Sequence, residues 1–171
     1  MTSAENRCSF CGKPAVARLT GPERRLCAAH FIEDAEARVF AAMKDECMVA
    51  PGDRVAVGLS GGKDSTALLL LLHPILPTLG ATLVAVTVDE GIAGYREETL
   101  KAAEALTAEL GVEHVIVTFA DLFGKDLDRL LVGREAQGCT VCGVLRRRAI
   151  VAGIWALSGN RSETWSVRWS P

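Results

Sequence analysis

The sequence lacks an excess of charge of either sign. Its 171 residues carry 19 Lys and Arg against 21 Asp and Glu, which gives a formal net charge of −2. That balance excludes a uniformly basic nucleic-acid clamp, although a local basic patch is compatible with it. Hydrophobic residues make up 49% and charged residues 23%. This is the composition of a globular protein with one domain, or one domain and a small appendage.

Long hydrophobic runs are also missing. The longest unbroken apolar run covers residues 67–72 and ends at His73-Pro74, whereas a bilayer-spanning helix needs roughly 20 apolar residues. The first ten residues contain no apolar signal-peptide core. We therefore expect a cytoplasmic protein without a membrane partner.

Tryptophan is absent from residues 1–154, yet residues 155–171 hold three, namely Trp155, Trp165 and Trp169. The final stretch, SGNRSETWSVRWSP, has neither helical nor strand periodicity. It is either an ordinary polar tail or, as we prefer, a sign that the chain stops early or enters an altered reading frame near residue 150. Residues 151–171 are therefore treated as a divergent tail, and sequencing the downstream DNA tests this hypothesis.

Strand and helix patterns alternate over residues 51–150. Val-rich segments at 54–59, 82–88 and 113–119 predict buried strands, and helices are predicted at 63–72, 95–110 and about 124–132. Continuous apolar strands between helices are typical of a parallel sheet that is covered on both faces. The pattern predicts a doubly wound, Rossmann-like α/β domain that is incomplete, because only three strands are present.

The first predicted strand leads into the glycine-rich segment GLSGGKDST, which opens a helix. Paired glycines let a ligand approach the main chain, and the unpaired amides of a helix start attract anions. The lysine adds positive charge, the serines add hydroxyl donors, and the aspartate can hold Mg²⁺. The segment matches neither the Walker loop nor G-x-G-x-x-G, and a plain glycine-rich turn is the simple alternative. The candidate phosphate-binding residues are Ser60, Gly61, Gly62, Lys63, Asp64 and Ser65.

Four side chains near the start of the sequence have the spacing of a metal site. Cys8-x2-Cys11 is followed, fifteen residues later, by Cys27-x2-His30, and two such pairs suit tetrahedral Zn²⁺ without an open position. Residues 1–31 lack apolar periodicity, so a metal would hold them folded. We predict a zinc-binding module over residues 1–31 and a linking helix over 32–50; a pair of reactive thiols is the alternative.

A second cysteine pair, Cys139-x2-Cys142, precedes the arginine run 146–148 and has no nearby His. It is a redox or persulfide-carrying pair, two ligands of an iron–sulfur cluster, or two ordinary thiols. The arginines either meet phosphates or form a solvated face, the usual role of a charge run. Cys47 is expected on the back of the linking helix, as an inert thiol.

The segment VDEGI follows the second predicted strand, at the edge of the sheet where ligands bind in such folds. Asp89 and Glu90 are therefore candidates for the ligand site, and a solvated turn is the alternative.

SGGKDS is the signature of the PP-loop ATP pyrophosphatase superfamily, and the sequence resembles that superfamily over roughly residues 8–150. The order of its motifs, a Cys/His module, SGGKDS, VDEGI-x-GYR and C-x2-C-G-x2-RR, resembles the tRNA 2-thiolation branch. That branch contains the 2-thiouridine and 2-thiocytidine synthetases of the TtuA-like and TtcA-like groups. By this resemblance, residues 60–65 hold the pyrophosphate end of ATP. Asp89 and the nearby Gly94-Tyr95-Arg96 belong to the nucleotide-side loop.

The resemblance implies a reaction in which ATP adenylates the C2 carbonyl oxygen of a tRNA pyrimidine, after which sulfur displaces AMP. Lys63 and Mg²⁺, with Asp64, offset charge on the phosphates. Cys139 and Cys142 hold the sulfur or a [4Fe-4S] cluster. The sulfur donor is either a thiocarboxylated, ubiquitin-like carrier protein or a sulfide on a cluster. The expected partners are tRNA and that donor, with a homodimer as a further expectation.

Residues 150–171 depart from the family pattern, because a further strand, a second Asp-rich nucleotide motif and a third cluster Cys are not found there. Two other functions therefore stay open. One is a truncated, non-catalytic remnant that binds ATP or zinc, and the other is a PP-loop ligase or amidotransferase acting on a small molecule. Pyrophosphate release with tRNA tests the first alternative, and AMP formation without tRNA would indicate the second.

Overall fold

The computed structural model describes residues 6–92, 97–133 and 138–158. They fall into two compact units, divided between residues 49 and 50. None of the described helices is long and apolar enough to cross a bilayer.

The first unit contains a β-hairpin and one long helix. Strands β1 (Ala17–Thr20) and β2 (Glu23–Leu26) pair antiparallel, and helix α1 covers Ala28–Asp45. The hairpin was not predicted, because its four-residue strands are rich in arginine and show little apolar alternation. Leu26 is its buried anchor, with no exposed surface.

Helix α1 ends at Asp45, before the predicted end of the linking helix at residue 50, and Cys47 is not on it. Cys47 adopts a left-handed conformation with φ 48°. Its N–H bonds to the carbonyl of Lys44, and the N–H of Met48 bonds to the carbonyl of Met43. These two bonds form a Schellman motif, which satisfies the last carbonyls of a helix. The prediction of Cys47 on the helix was therefore wrong: it lies exposed in the turn that ends the helix.

The second unit is built on a three-stranded parallel sheet. Its strands are β3 (Arg54–Gly58), β4 (Thr82–Asp89) and β5 (Glu113–Thr118), with β4 in the centre. All side chains of β4 from residue 84 to residue 88 are buried, and all but Thr87 are apolar. The predicted α/β class with a parallel, Rossmann-like sheet is confirmed.

Helices cover both faces of this sheet. On one face, Gly153 lies directly against Val86 and Val117. A Cβ atom added to Gly153 would lie 2.9 Å from a methyl carbon of Val86 and 2.8 Å from one of Val117. On the other face, Thr87 is linked through His114 to Thr107. Since Val86 and Thr87 alternate along β4, the helices that carry Gly153 and Thr107 lie on opposite sides. The helices are α2 (Lys63–Thr78), α3 (Glu97–Leu110), α4 (Phe119–Phe123), α5 (Leu127–Leu130) and α6 (Gly138–Ser158).

Helix α2 does not end at residue 72, as predicted, but continues through Pro74 and Pro77. Each proline removes one backbone hydrogen bond. The same turns bury Ile75 and Leu76 in the core. Burial of a large aliphatic side chain contributes about 1.5–3 kcal/mol, which offsets much of the cost of a proline in a helix, about 3 kcal/mol each.

The segment after β5 also differs from its prediction. Phe119 begins helix α4 rather than ending the strand, and Gly124, with φ 72°, terminates that helix instead of starting one. The predicted helix at 124–132 is reduced to α5. Gly94-Tyr95-Arg96, Trp165 and Trp169 lie outside the described residues, whereas α6 extends past residue 150 to Ser158.

Candidate functional site

The loop between β3 and α2 is closed by two serines. The Ser65 hydroxyl donates to the carbonyl oxygen of Gly62 at 3.0 Å and accepts from the N–H of Ser60 at 3.2 Å. The Ser60 and Ser65 hydroxyl oxygens lie 3.0 Å apart. The loop therefore bends back onto the first turn of α2, whose leading N–H groups have no partner within the helix. Lys63 and Asp64 stand exposed on that turn, so the turn carries a cation, a carboxylate and amides without partners in the helix.

Gly61 is the position in this loop that admits no side chain. Its φ of 75° is left-handed, and an added Cβ would meet the Thr99 carbonyl oxygen at 2.5 Å. Helix α3 therefore packs directly against the loop backbone. Two independent constraints, conformation and space, require glycine here.

The base of the loop is attached to strand β4. The Leu59 N–H donates to the carbonyl of Val86 at 2.8 Å, and the Thr87 hydroxyl donates to the carbonyl of Leu59 at 2.7 Å. Leu59 and Thr87 are both buried. The loop thus starts from a fixed point in the sheet, and the sequence offered no signal for Thr87 beyond its place in a strand.

His114 supports Thr87 from the neighbouring strand. Its Nε2 lies 2.7 Å from the Thr87 hydroxyl, and its Nδ1 lies 3.1 Å from the Thr107 hydroxyl. Because Thr87 already donates to Leu59, its oxygen accepts from the Nε2–H of His114. The Thr107 hydroxyl donates within its own helix, where the carbonyl oxygens of Ala103 and Glu104 lie 2.9 and 3.1 Å away. Burial lowers the pKa of His114, against the opposing charge of Glu104, which favours the neutral ring.

A tight turn follows the carboxyl end of β4. The Asp89 carboxylate accepts from the N–H of Gly91 at 2.9 Å, and Gly91 has φ 72°, with an added Cβ only 2.8 Å from the Cβ of Asp126. The Glu90 carbonyl accepts from the N–H of Leu127 at 2.8 Å. The turn is therefore fixed on both sides. It lies next to the end of β3 that leads into residues 60–65, here called the phosphate loop.

Glu90 is not part of a solvated turn. It has no exposed surface, and its carboxylate forms an ion pair with the Nε group of Arg146. Partial burial lowers the pKa of Arg146, but the hydrogen bond and charge of Glu90, together with Cys142, outweigh it, and the pKa is raised. The solvated-turn interpretation is wrong for Glu90, and the solvated-face interpretation is wrong for Arg146.

The second cysteine pair lies on the first turns of α6. Cys139 is exposed and Cys142 is buried; three positions apart, they share one face of the helix. Cys142 packs in a cluster with Val88 and Leu127, so its sulfur is close to the carboxyl end of β4. The pair supplies two thiols, and no third metal-ligating side chain joins them within residues 6–92, 97–133 and 138–158.

The structure brings together the four predicted metal ligands of the first unit. The ligand atoms of Cys8, Cys11, Cys27 and His30 all lie within 4.8 Å of one another. The Cys11 and Cys27 sulfurs are 3.7 Å apart, and His30 Nδ1 lies 3.4 and 3.3 Å from the sulfurs of Cys8 and Cys27. Tetrahedral bonds of about 2.3 Å to sulfur and 2.0–2.1 Å to nitrogen place ligand atoms about 3.5–3.8 Å apart. The four side chains therefore fit one tetrahedral metal ion, and the cysteines are not disulfide-bonded.

Electrostatics around these ligands favour the thiolate form of Cys8 and Cys27. Burial acts to raise the pKa of the Cys8 thiol, but backbone N–H groups of Cys27, Phe10 and Cys11 outweigh it and lower the pKa to about 6. The backbone N–H of His30 leads the lowering of the pKa of Cys27, and the side-chain hydrogen bond between Cys27 and the ring raises the pKa of His30. The backbone N–H of Lys13 acts to lower the pKa of Cys11, but burial and the neighbouring sulfurs outweigh it and the pKa is raised. A cation placed among these atoms would meet two thiols, those of Cys8 and Cys27, that lose their protons readily.

Residues 32–135 match a family model that is described as the PP-loop domain. The match includes most of α1, the loop of residues 60–65 and strands β3 to β5, and it stops before the second cysteine pair.

Among curated proteins, the chain is similar to cytoplasmic tRNA 2-thiolation protein 1 from several animals. It is 41% identical to the Mus musculus protein over 153 residues, which are 85% of this chain and 36% of that protein. It is 34% identical to the Caenorhabditis elegans protein over 160 residues, 91% of this chain and 43% of that one. The chain thus spans less than half the length of these relatives.

Among solved structures, the chain is similar to the U34-tRNA thiolase NcsA from Methanococcus maripaludis with its [4Fe-4S] cluster. The TM-score is 0.71 and the identity 33%, over 84% of this chain and 47% of that one. The NH3-dependent NAD synthetase from Campylobacter jejuni, at 20% identity and a TM-score of 0.50 over 72% of this chain and 50% of that one, shares the fold.

Proposed function

This chain belongs to the PP-loop domain family, and from that premise we propose that it is part of an ATP-dependent tRNA sulfurtransferase of the cytoplasm. The proposed enzyme adenylates the C2 carbonyl oxygen of a tRNA pyrimidine, releases pyrophosphate, and then replaces AMP by sulfur. The observation that carries the proposal is the closed loop of residues 60–65 in a chain that is 33% identical to a tRNA thiolase.

Each loop residue has a physical role in this proposal. The free amides at the start of α2 bind the phosphates of ATP, since a helix N-terminus carries partial positive charge. Lys63 offsets charge that develops as pyrophosphate leaves. Asp64 is the carboxylate for Mg²⁺, which takes oxygen ligands. Ser60 and Ser65 keep the loop bent onto the first turn of α2.

Two metal groups complete the proposal. Cys8, Cys11, Cys27 and His30 hold a structural Zn²⁺, since their spacing leaves no open coordination position. Cys139 and Cys142 would supply two thiolates for a [4Fe-4S] cluster, which would bring sulfide-level sulfur to the reaction.

The division of the chain follows the same reasoning. We assign residues 1–31 to the zinc module, 32–50 to the linking helix, 51–150 to the nucleotide-binding domain and 151–171 to a divergent tail. Beyond tRNA, we propose a thiocarboxylated, ubiquitin-like carrier protein as the sulfur donor and a homodimer as the assembly. Co-purification with the carrier and the sedimentation mass test these two partners.

The function is tested by pyrophosphate release with unmodified tRNA, Mg²⁺ and ATP. We expect release that depends on tRNA, with a loss of about 100-fold or more in Lys63→Ala, because one lysine at a developing phosphate charge contributes that much. Lys101→Ala on the exposed side of α3 is the control and is expected to keep activity. Release without tRNA would instead indicate a small-molecule ligase, and no release with bound ATP would indicate a non-catalytic binding protein.

A further inference from the structure

One ion pair connects the turn after β4 with the cysteine helix. The Glu90 carboxylate is completely buried, and Arg146 of α6 is its partner, although the two residues are 56 positions apart in sequence. A buried carboxylate without a cation costs several kcal/mol, so Glu90 keeps Arg146, and with it this turn of α6, against the end of the strand.

Arg146 also lies near the sulfur of Cys142. Its Nε pairs with the Glu90 carboxylate, and interaction with Cys142 contributes to raising the pKa of Arg146. Cys142 lies one helical turn before Arg146, on the side toward which helical side chains lean. The pair with Glu90 therefore fixes the part of α6 on which the sulfur of Cys142 lies.

This contact lies beside the proposed nucleotide loop. Cys142 packs with Val88 of β4. The two preceding residues of that strand, Val86 and Thr87, form hydrogen bonds with the backbone of Leu59, the residue before Ser60. Hydrogen bonds, the strand itself and the ion pair thus connect the loop of residues 60–65 with Glu90 and Arg146.

We infer that Arg146, anchored by Glu90, is a positioning residue that holds the sulfur of Cys142 at the carboxyl end of β4, next to the nucleotide loop. A second part of this inference rests on the proposed function: ATP bound at residues 60–65 stabilises the same arrangement. The two other arginines of the run, Arg147 and Arg148, are given no such role, so the inference separates Arg146 from its sequence neighbours.

The first experiment needs no nucleotide. Labelling of the cluster-free full chain with maleimide is followed by mass spectrometry, which resolves Cys139 from Cys142. Because Cys142 is buried, its labelling requires local opening of α6, and the rate is normalised to the urea-unfolded chain. Arg146→Gln and Glu90→Gln are expected to speed labelling of Cys142 by about ten-fold or more. The exposed Cys139 should change by less than about two-fold.

Two variants make this result specific. Arg148→Gln removes an exposed arginine from the same helix and is expected to leave the labelling of both cysteines unchanged. Arg146→Lys keeps the positive charge but lacks the planar set of N–H donors of arginine. It should restore part of the protection of Cys142 against labelling. Unchanged labelling of Cys142 in Arg146→Gln, or equal acceleration in Arg148→Gln, overturns the inference. If Arg146→Gln does not fold, selective acceleration at Cys142 in Arg146→Lys supports the inference and its absence contradicts it.

The second experiment adds Mg²⁺ and ATP. We expect ATP to slow labelling of Cys142 several-fold in the unmodified chain and not in Arg146→Gln, while calorimetry detects ATP binding to both. Binding without any effect on Cys142 in the unmodified chain overturns the nucleotide part of the inference and leaves the proposed function standing. Absence of ATP binding in the unmodified chain overturns the proposed function, whereas the labelling without nucleotide still decides the role of Arg146.

Discussion

The two units of this chain differ in the side chains that each one buries. Within residues 6–49, the buried apolar side chains are Cys8, Leu26, Cys27 and Met43, and two of these are proposed metal ligands. The second unit buries aliphatic and aromatic side chains on both faces of a sheet. On the proposed metal assignment, the difference teaches that a segment too poor in apolar residues to form a core is fixed by ligand chemistry instead.

Removal of one metal ligand is the strongest way to sharpen this comparison. We expect Cys27→Ser, or strong chelation, to abolish hydrogen-exchange protection of the amides in β1 and β2, because the hairpin has little else to hold it. Amides of β4 should keep their protection, since the second unit has its own core. Cys47→Ser, at an exposed thiol outside the cluster, is the control; protection that survives chelation in β1 and β2 would contradict the prediction.

A substitution in the core of the second unit should destabilise that unit and leave metal binding by the first unit unchanged. Phe119 has no exposed surface, so Phe119→Ala is expected to lower the unfolding free energy of the second unit by about 3–5 kcal/mol, measured by urea denaturation. Leu68→Ala, at a side chain that is 44% exposed, should cost less than about 1 kcal/mol. Metal binding by the first unit should be the same in both variants, and its loss in Phe119→Ala would break the comparison.

The phosphate loop can be tested with two glycines that share a left-handed conformation. Gly61→Ala combines backbone strain with a collision against Thr99, whereas Gly124→Ala adds the strain in open space. We expect Gly61→Ala to weaken ATP binding by about ten-fold or more, because strain of about 1–3 kcal/mol must be relieved by moving the loop. Calorimetry should find ATP affinity unchanged in Gly124→Ala; equal affinities in both variants would contradict the role of the loop.

The smallest expected effect is a pH dependence of the unfolding free energy of the second unit. Because burial lowers the pKa of His114, the unfolded chain takes up a proton at a higher pH than the folded chain. The contribution of neutral His114 to stability is therefore complete above about pH 6.5 and is lost as the pH falls below it. The measurement is the difference in unfolding free energy between the unmodified chain and His114→Gln at pH 7.5 and pH 5.5. A difference that does not shrink on acidification would contradict the assignment of a neutral ring.

Features of local origin could be predicted from the sequence. The alternation of Val-rich and helical segments indicated a parallel α/β sheet, and the glycine, lysine and serine pattern located the loop between β3 and α2. Prediction was less accurate where packing competes with local preference. Helix α2 continues through Pro74 and Pro77 because the turns that contain them bury Ile75 and Leu76, and no local rule for proline includes that burial.

By itself, the sequence determined the α/β class, the position of the phosphate loop and the membership of the Cys/His cluster. These depend on periodicity and on spacings of a few residues, which act wherever the chain lies. Only the tertiary structure decided that Glu90 is buried against Arg146 and that His114 lies between Thr87 and Thr107. The reason is physical: each of these groups is charged or polar, its local preference is for water, and only a partner from another part of the fold makes burial favourable.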